Sequence, residues 1–220
     1  MNRYHVICSF CVLLPSMSHA VPALSEDARR LFRSLNQPLP DPVPFPVLVV
    51  VSGLPGTGKS FFSQRLAERV SLAVLESDAL RKALSPYPLH TAEESTRLFR
   101  AIDELLDLLL ERHLPVLLDA TNLLEAHREA LHSLAQRHKA RMTLVLVKAP
   151  PKVVRQRLEA RRGNRDTQDH SDADWEVYQR MRPLQEPIRR GHIVVDTSRD
   201  IEPVLERVAQ EIVGWTRLGR

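Results

Sequence analysis

The sequence predicts an α/β fold: a five-stranded parallel sheet with helices on both faces. Three observations carry this reading. Five short apolar runs rich in branched residues recur along the chain. Segments with helical periodicity separate them. One glycine-rich stretch directly follows the first run. A chain of 220 residues is about one ordinary domain, and 43% hydrophobic with 26% charged residues is a globular balance. That composition excludes a disordered, collagen-like or disulfide-stapled chain. A net charge of +4 favours anionic ligands without demanding nucleic acid, and 5% aromatic content disfavours a base-stacking surface.

The first twenty residues stand apart. Cys8 and Cys11 are the only cysteines and sit in an apolar run behind Arg3. No second Cys/His pair follows at ligand spacing, which removes a zinc or redox reading. The run is too short to span a bilayer, which takes about 20 residues. With Ser18-His19-Ala20 behind it, it has the anatomy of a secretory signal. The alternative is a start at Met17 with an over-extended reading frame, and the need for ATP argued below favours a cytoplasmic protein. Residues 21–46 read as a second appendage: a short amphipathic helix from Ser25 to Leu35, then prolines at 38, 40, 42, 44 and 46. Alternating prolines exclude regular structure and give a stiff spacer.

The working domain is expected over residues 47–217. Val47–Ser52 is a continuous apolar run, as in a strand buried on both faces. Comparable runs fall at 72–76, 115–119, 143–147 and 192–196. Helices are expected at 59–70, 124–138, 151–162, 172–188 and 201–215, with capping boxes at Thr91/Glu94 and Ser171/Asp174. The Thr91 helix carries Leu98, Ile102, Leu105 and Leu109 on one face.

Directly after the first strand comes Gly53-Leu-Pro55-Gly56-Thr57-Gly58-Lys59-Ser60, which fits G-x-x-x-x-G-K-[ST] at every position. Such a loop turns its backbone N–H groups onto phosphate oxygens at a helix N-terminus. Lys59 reaches the β- and γ-phosphates, and Ser60 is a magnesium ligand. ATP and Mg2+ are therefore the expected cofactors. Roughly 160 residues follow Lys59, too few for a motor with a helical lid domain, and no N-K-x-D element for guanine is present.

Polar residues then gather where the strands end, the ligand-binding edge of open α/β sheets. Asp78, with Arg81 one turn on, follows the second strand; it suits either a general base for an acceptor hydroxyl or a helix cap. Asp119 ends the third strand as a magnesium-holding carboxylate, followed by Thr121 and Asn122 as acceptor contacts. Arg157 and Arg161 share a helix face beyond the fourth strand, and Arg162 and Gly163 close it into an arginine-bearing lid. Arg128, Arg189 and Arg190 read as solvated surface charges.

These motifs resemble the small P-loop kinases typified by the 5′-hydroxyl kinase domain of bacteriophage polynucleotide kinase. The group includes gluconate kinase, chloramphenicol phosphotransferase and, more distantly, zeta toxins. The resemblance runs from about Val47 to Thr197 through G-L-P-G-T-G-K-S, E-S-D-A-L-R, L-L-D-A-T-N and R-L-E-A-R-R-G. It implies a kinase-like P-loop nucleoside triphosphate hydrolase fold, Asp78 as general base, Arg81 near the acceptor, and Arg161 or Arg162 as the lid arginine. The expected activity is ATP-dependent phosphotransfer to a hydroxyl. A sugar, nucleoside or antibiotic-like alcohol is preferred as acceptor over a nucleic-acid 5′ end. An ATP-binding regulator with slow hydrolysis and a toxin-like sugar-nucleotide kinase remain alternatives. No membrane partner is expected, and the sequence does not choose between monomer and dimer.

Overall fold

Alternate residues of the first strand serve different cores. Leu48 and Val50 face one side of the sheet, while Val47, Val49 and Val51 face the other, and all are fully buried. This is the burial on both faces that a parallel sheet between two helical layers requires. The computed structural model describes residues 24–35, 38–163 and 173–218, apart from the side chains of Arg162 and Leu218. The leader-like segment, residues 164–170 and Ser171 lie outside the described residues.

Five strands, β1 (Val47–Ser52), β2 (Ala73–Glu76), β3 (Val116–Asp119), β4 (Arg141–Lys148) and β5 (Ile193–Asp196), form one parallel sheet. Their order is β2-β3-β1-β4-β5. The glycine-rich loop thus springs from the central strand, and β2 and β3 flank it on one side, β4 and β5 on the other. Eight α-helices are described: α1 (Glu26–Ser34), α2 (Lys59–Ala67), α3 (Ser77–Leu84), α4 (Ala92–Glu111), α5 (Glu125–Arg137), α6 (Pro151–Gly163), α7 (Trp175–Met181) and α8 (Glu202–Leu218). Leucines of α4, with α1, α3 and α5, cover the Leu48/Val50 face. Phe62 and Leu66 of α2 and Leu205, Val208 and Ile212 of α8 cover the opposite face. A smaller cluster of Leu54, Leu123, Val154, Leu158 and Tyr178 ties α6 and α7 to the glycine-rich loop. No helix among the described residues is long and apolar enough to cross a membrane.

Four local readings change. The α1 segment is not an appendage. Ser25 caps it by accepting from the Ala28 N–H, and Ala28 and Leu31 are fully buried in the main core. Arg97 of α4 grips Asp27 through Nε at 2.6 Å and Nη2 at 2.5 Å. The proline stretch is pinned as well, because Val43 N–H donates to the His113 carbonyl and Arg141 N–H to that of Pro46. Helix α3 begins directly at the end of β2 with Glu76 in the N-cap position, so Asp78 lies in its first turn and is not its cap. The expected helix over 172–188 is shorter. Asp174 accepts from the Val177 N–H to cap α7, and a 3-10 turn at Arg182–Leu184 containing Pro183 ends it. The Thr91/Glu94 box forms in half: Thr91 Oγ1 accepts from the Glu94 N–H. The Glu94 carboxylate turns instead to the N–H groups of Leu89 and His90 and to Arg81.

Candidate active site

The loop between β1 and α2 is held from beneath before any ligand arrives. Gly53 N–H donates to the Thr121 carbonyl at 3.1 Å. Ser52 Oγ donates to the carbonyls of Thr121 and Asn122. A Cβ on Gly53 would lie 2.3 Å from the Val147 carbonyl oxygen, so only glycine lets β4 approach this closely. Gly58 has φ +93°, and a Cβ there would press on Thr197 at 3.2 Å. The positive φ and the Thr197 side chain just beyond β5 both favour glycine here. Thr57 Oγ1 donates to the Leu54 carbonyl at 2.8 Å and Lys59 Nζ to the same carbonyl at 3.3 Å.

A cleft of about 490 Å³ opens over this loop, within the ~300–1,000 Å³ range of small-molecule sites. Pro55, Gly56, Gly58, Lys59 and Ser60 line it from the loop, Asp78 from α3, and Asp119 and Thr121 from β3 and its exit. Arg157 and Arg161 line it from α6. Seven strand-end and lid residues singled out by spacing therefore separate into two groups. Asp78, Asp119, Thr121, Arg157 and Arg161 converge on one cleft; Arg81 and Asn122 do not line it. Gly53 and Thr57 also lie behind the lining, as struts of the loop.

Asn122 is 4% exposed, has φ +45°, and donates from Nδ2 to the Val51 carbonyl at 3.1 Å. It closes the turn after β3 and clamps β1. Arg81 is 8% exposed and bonds Glu94 Oε1 at 3.0 Å and Ser95 Oγ at 3.3 Å. The hydrogen bond from Arg81 holds the Glu94 carboxyl below the usual carboxylate range. Arg128 corrects the surface reading outright: it is 3% exposed, bonds Glu125, and donates to the carbonyls of Asn122, Leu123, Glu186 and Pro187. It fastens α5 to the segment after α7. Arg190 is indeed exposed and pairs with Glu129.

Arg157 does more than line the cleft. Its Nη1 donates to Thr197 Oγ1 and Nη2 to the Thr197 carbonyl, both at 2.8 Å, while Thr197 Oγ1 donates to the Thr57 carbonyl at 2.6 Å. One arginine thereby couples α6, the end of β5 and the glycine-rich loop. Thr197 was not singled out in the sequence, although it follows the fifth strand at the same edge as the residues that were. Arg162 lies on α6, its side chain outside the described residues.

Asp119 is 2% exposed, and its Oδ2 has no hydrogen-bond partner. Burial raises its carboxyl above the usual range, the Lys59 ammonium offsets part of this, and Asp78 adds to it. Glu76 stands beside it, since Glu76 and Asp119 are register partners on β2 and β3. Glu76 Oε1 accepts from Ser60 Oγ at 3.2 Å. A buried carboxylate oxygen without a partner, next to a hydroxyl at the foot of a phosphate loop, fits Mg2+. No cluster of three or more His, Cys, Asp or Glu among the described residues is arranged to hold a metal ion alone. Phosphate oxygens of a nucleotide would supply the remaining ligands. Glu76, like Thr197, is a residue that sequence reasoning passed over; its signal was its place at a strand end, two residues before Asp78.

A phosphate loop leaving the central strand of this sheet, with an aspartate at the end of the neighbouring strand, defines a P-loop nucleotide-binding protein of kinase type. Residues 48–188 match the AAA_33 family, described as an AAA domain, and the chain belongs to that family. Among solved structures it is similar to a candidate kinase from Chloroflexus aurantiacus J-10-fl, with a TM-score of 0.57 at 25% identity over 75% of this chain and 97% of that one. It is also similar to a gluconokinase from Sinorhizobium meliloti 1021, with a TM-score of 0.55 at 23% identity over 79% and 99%. An APS kinase from Mycobacterium tuberculosis, in complex with AMPPNP and APS, gives a TM-score of 0.54 at 21% identity over 78% and 96%. The latter two share the fold. Together the matches place the chain in the small P-loop kinase group that its motifs resemble, an ATP-binding kinase-type domain.

Proposed function

We propose that this protein is an ATP-dependent kinase that transfers the γ-phosphoryl group to an alcohol, within a unit spanning residues 47–217 onto which α1 docks. The observation that carries the reading is the position of Asp78, on the wall of the same cleft as Lys59, Arg157 and Arg161. Donor-binding cations and a carboxylate for the acceptor thus share one chamber. The acceptor oxygen attacks the γ-phosphorus, its proton passes to Asp78, the bond to the β,γ-bridging oxygen breaks, and ADP leaves. Lys59 and the loop N–H groups hold the β- and γ-phosphates, and Arg161, with Arg162 beside it on α6, balances charge on the transferring group. Ser60 and Asp119 would hold Mg2+, which neutralises phosphate charge when bound. Gly53 and Thr57 keep the loop in shape, Arg157 locks it to α6, and Asn122 clamps β1 to the turn after β3. The requirement for ATP supports a cytoplasmic location.

The test is Asp78→Asn in a γ-labelled ATP screen against nucleosides, sugars, aminoglycosides and a 5′-hydroxyl oligonucleotide. Wild type should label an acceptor, and the variant should lose transfer while binding ATP as before. A protein that binds ATP only as a switch would hydrolyse it slowly and be indifferent to the substitution.

A further inference from the structure

The charged residues lining the cleft are not mixed. Its cations, Lys59, Arg157 and Arg161, come from the first turn of α2 and from α6. On the other side, over β2 and β3, the described lining residues with charge are Glu76, Asp78 and Asp119, of which Asp119 would face Mg2+ and Glu76 and Asp78 remain for the acceptor. The cations therefore lie where the phosphates of the donor are held, and the acceptor half is acidic.

The residue that the family resemblance puts near the acceptor is Arg81, and it is spent elsewhere. It is almost fully buried and does not line the cleft. Its guanidinium is bonded to Glu94 at 3.0 Å and to Ser95. Glu94 is itself fixed, since it also accepts from the N–H groups of Leu89 and His90 at 2.7 and 3.2 Å. This carboxylate belongs to the fold of the α3–α4 connection, and it neutralises Arg81 in place. Moving Arg81 to an incoming phosphate would leave Glu94 facing backbone donors alone and would cost a largely buried ion pair.

From this asymmetry we infer that the acceptor alcohol carries no phosphate or carboxylate: it is a neutral or amino-bearing hydroxyl compound. An anionic acceptor would enter beside Asp78 and Glu76 and next to the donor's own phosphates, with no described cation on its side to receive it. A neutral polyol, a nucleoside or an amino alcohol meets no such repulsion, and an ammonium group gains from the carboxylates. The exposed ring of Phe61 and the side chain of Gln64, on one face of α2, line the same cleft and offer it apolar and amide contacts. The inference rests on the kinase reading above and narrows its acceptor.

The experiment uses the full chain, γ-labelled ATP and matched acceptor pairs that differ only in an anionic group. Suitable pairs are a nucleoside with its 3′-monophosphate, sorbitol with gluconate, and serinol with serine, each member keeping a free hydroxyl. Where a pair is labelled, the non-anionic member should have a kcat/KM at least tenfold higher. Equal or higher kcat/KM for the anionic members would overturn the inference and leave the kinase reading intact. Failure of the kinase reading looks different: hydrolysis that no acceptor diverts and that Asp78→Asn does not alter. Glu94→Gln supplies an independent readout. Freed of its counter-charge, Arg81 should shift the ratio within each pair toward the anionic member several-fold, and an unchanged ratio would count against the role given to this ion pair. Wild-type ratios stand as the test if the variant does not fold.

Discussion

Glu76 Oε1 accepts a hydrogen bond from Ser60 Oγ, and the two belong to different elements, the end of β2 and the first turn of α2. The bond holds the hydroxyl hydrogen on Glu76 and leaves oxygen lone pairs free for a cation. Glu76→Ala removes the acceptor that orients Ser60. The Mg2+ concentration needed for tight binding of a non-hydrolysable ATP analogue should rise on the order of tenfold, as for other partners of metal ligands. Calorimetric titration at several Mg2+ concentrations measures this. Metal-free nucleotide binding should be unchanged, which separates an effect on the ion from a damaged loop.

Arg157 makes a second prediction. Its bonds to both oxygens of Thr197, and that hydroxyl's bond to Thr57, make α6 part of the nucleotide cradle. Arg157→Ala deserts a carbonyl and a hydroxyl that are largely shielded from water. A charged hydrogen bond of this kind contributes roughly 1.5–3 kcal/mol. Unfolding in denaturant should show a loss of that size, with a raised KM for ATP. Arg157→Lys keeps the charge but not the two-pronged geometry, and should recover only part of either. A full recovery by lysine would mean that charge alone matters.

The sheet and the phosphate loop were legible because each is written locally: β-branched runs, a glycine pattern, strand-end carboxylates. Arg81, Asn122 and Arg128 show where that stops. Each occupies a position that spacing makes either functional or superficial, yet its role is set by partners distant in the chain or by a turn. Arg128 is buried because carbonyls of residues 186 and 187 return to meet it. Arg81 is silenced by a glutamate that sequence assigns to a capping box. The α1 helix was misjudged for a related reason. An amphipathic stripe predicts that a face will be covered, but not by what.

That helix can be tested directly. Leu31 is fully buried among residues of the core shared with α4. If α1 belongs to the folding unit, Leu31→Ala should destabilise the whole protein by about 2–5 kcal/mol in a single cooperative transition. A helix that merely decorates the surface would give less than about 0.5 kcal/mol. Asp27→Ala, which removes only the exposed pairing with Arg97, should cost under about 1 kcal/mol.

Asp119 combines a stability cost with a function, and pH distinguishes them. Burial raises its carboxyl above the unfolded value, so the folded state keeps a proton that the unfolded chain has released. The contribution of this group to stability is therefore full below the unfolded value, about pH 4. It is lost as pH rises from there through the folded value. Asp119→Asn removes the titration. Thermal unfolding in EDTA should find the variant more stable than wild type at pH 7, with the gap closing toward pH 4. Adding Mg2+ and an ATP analogue at pH 7 should reverse the ranking, because wild type gains binding free energy through the carboxylate and the variant does not. A variant less stable than wild type in EDTA at pH 7 would show that the buried carboxylate is a structural asset, and its assignment as the magnesium residue would lose its physical basis.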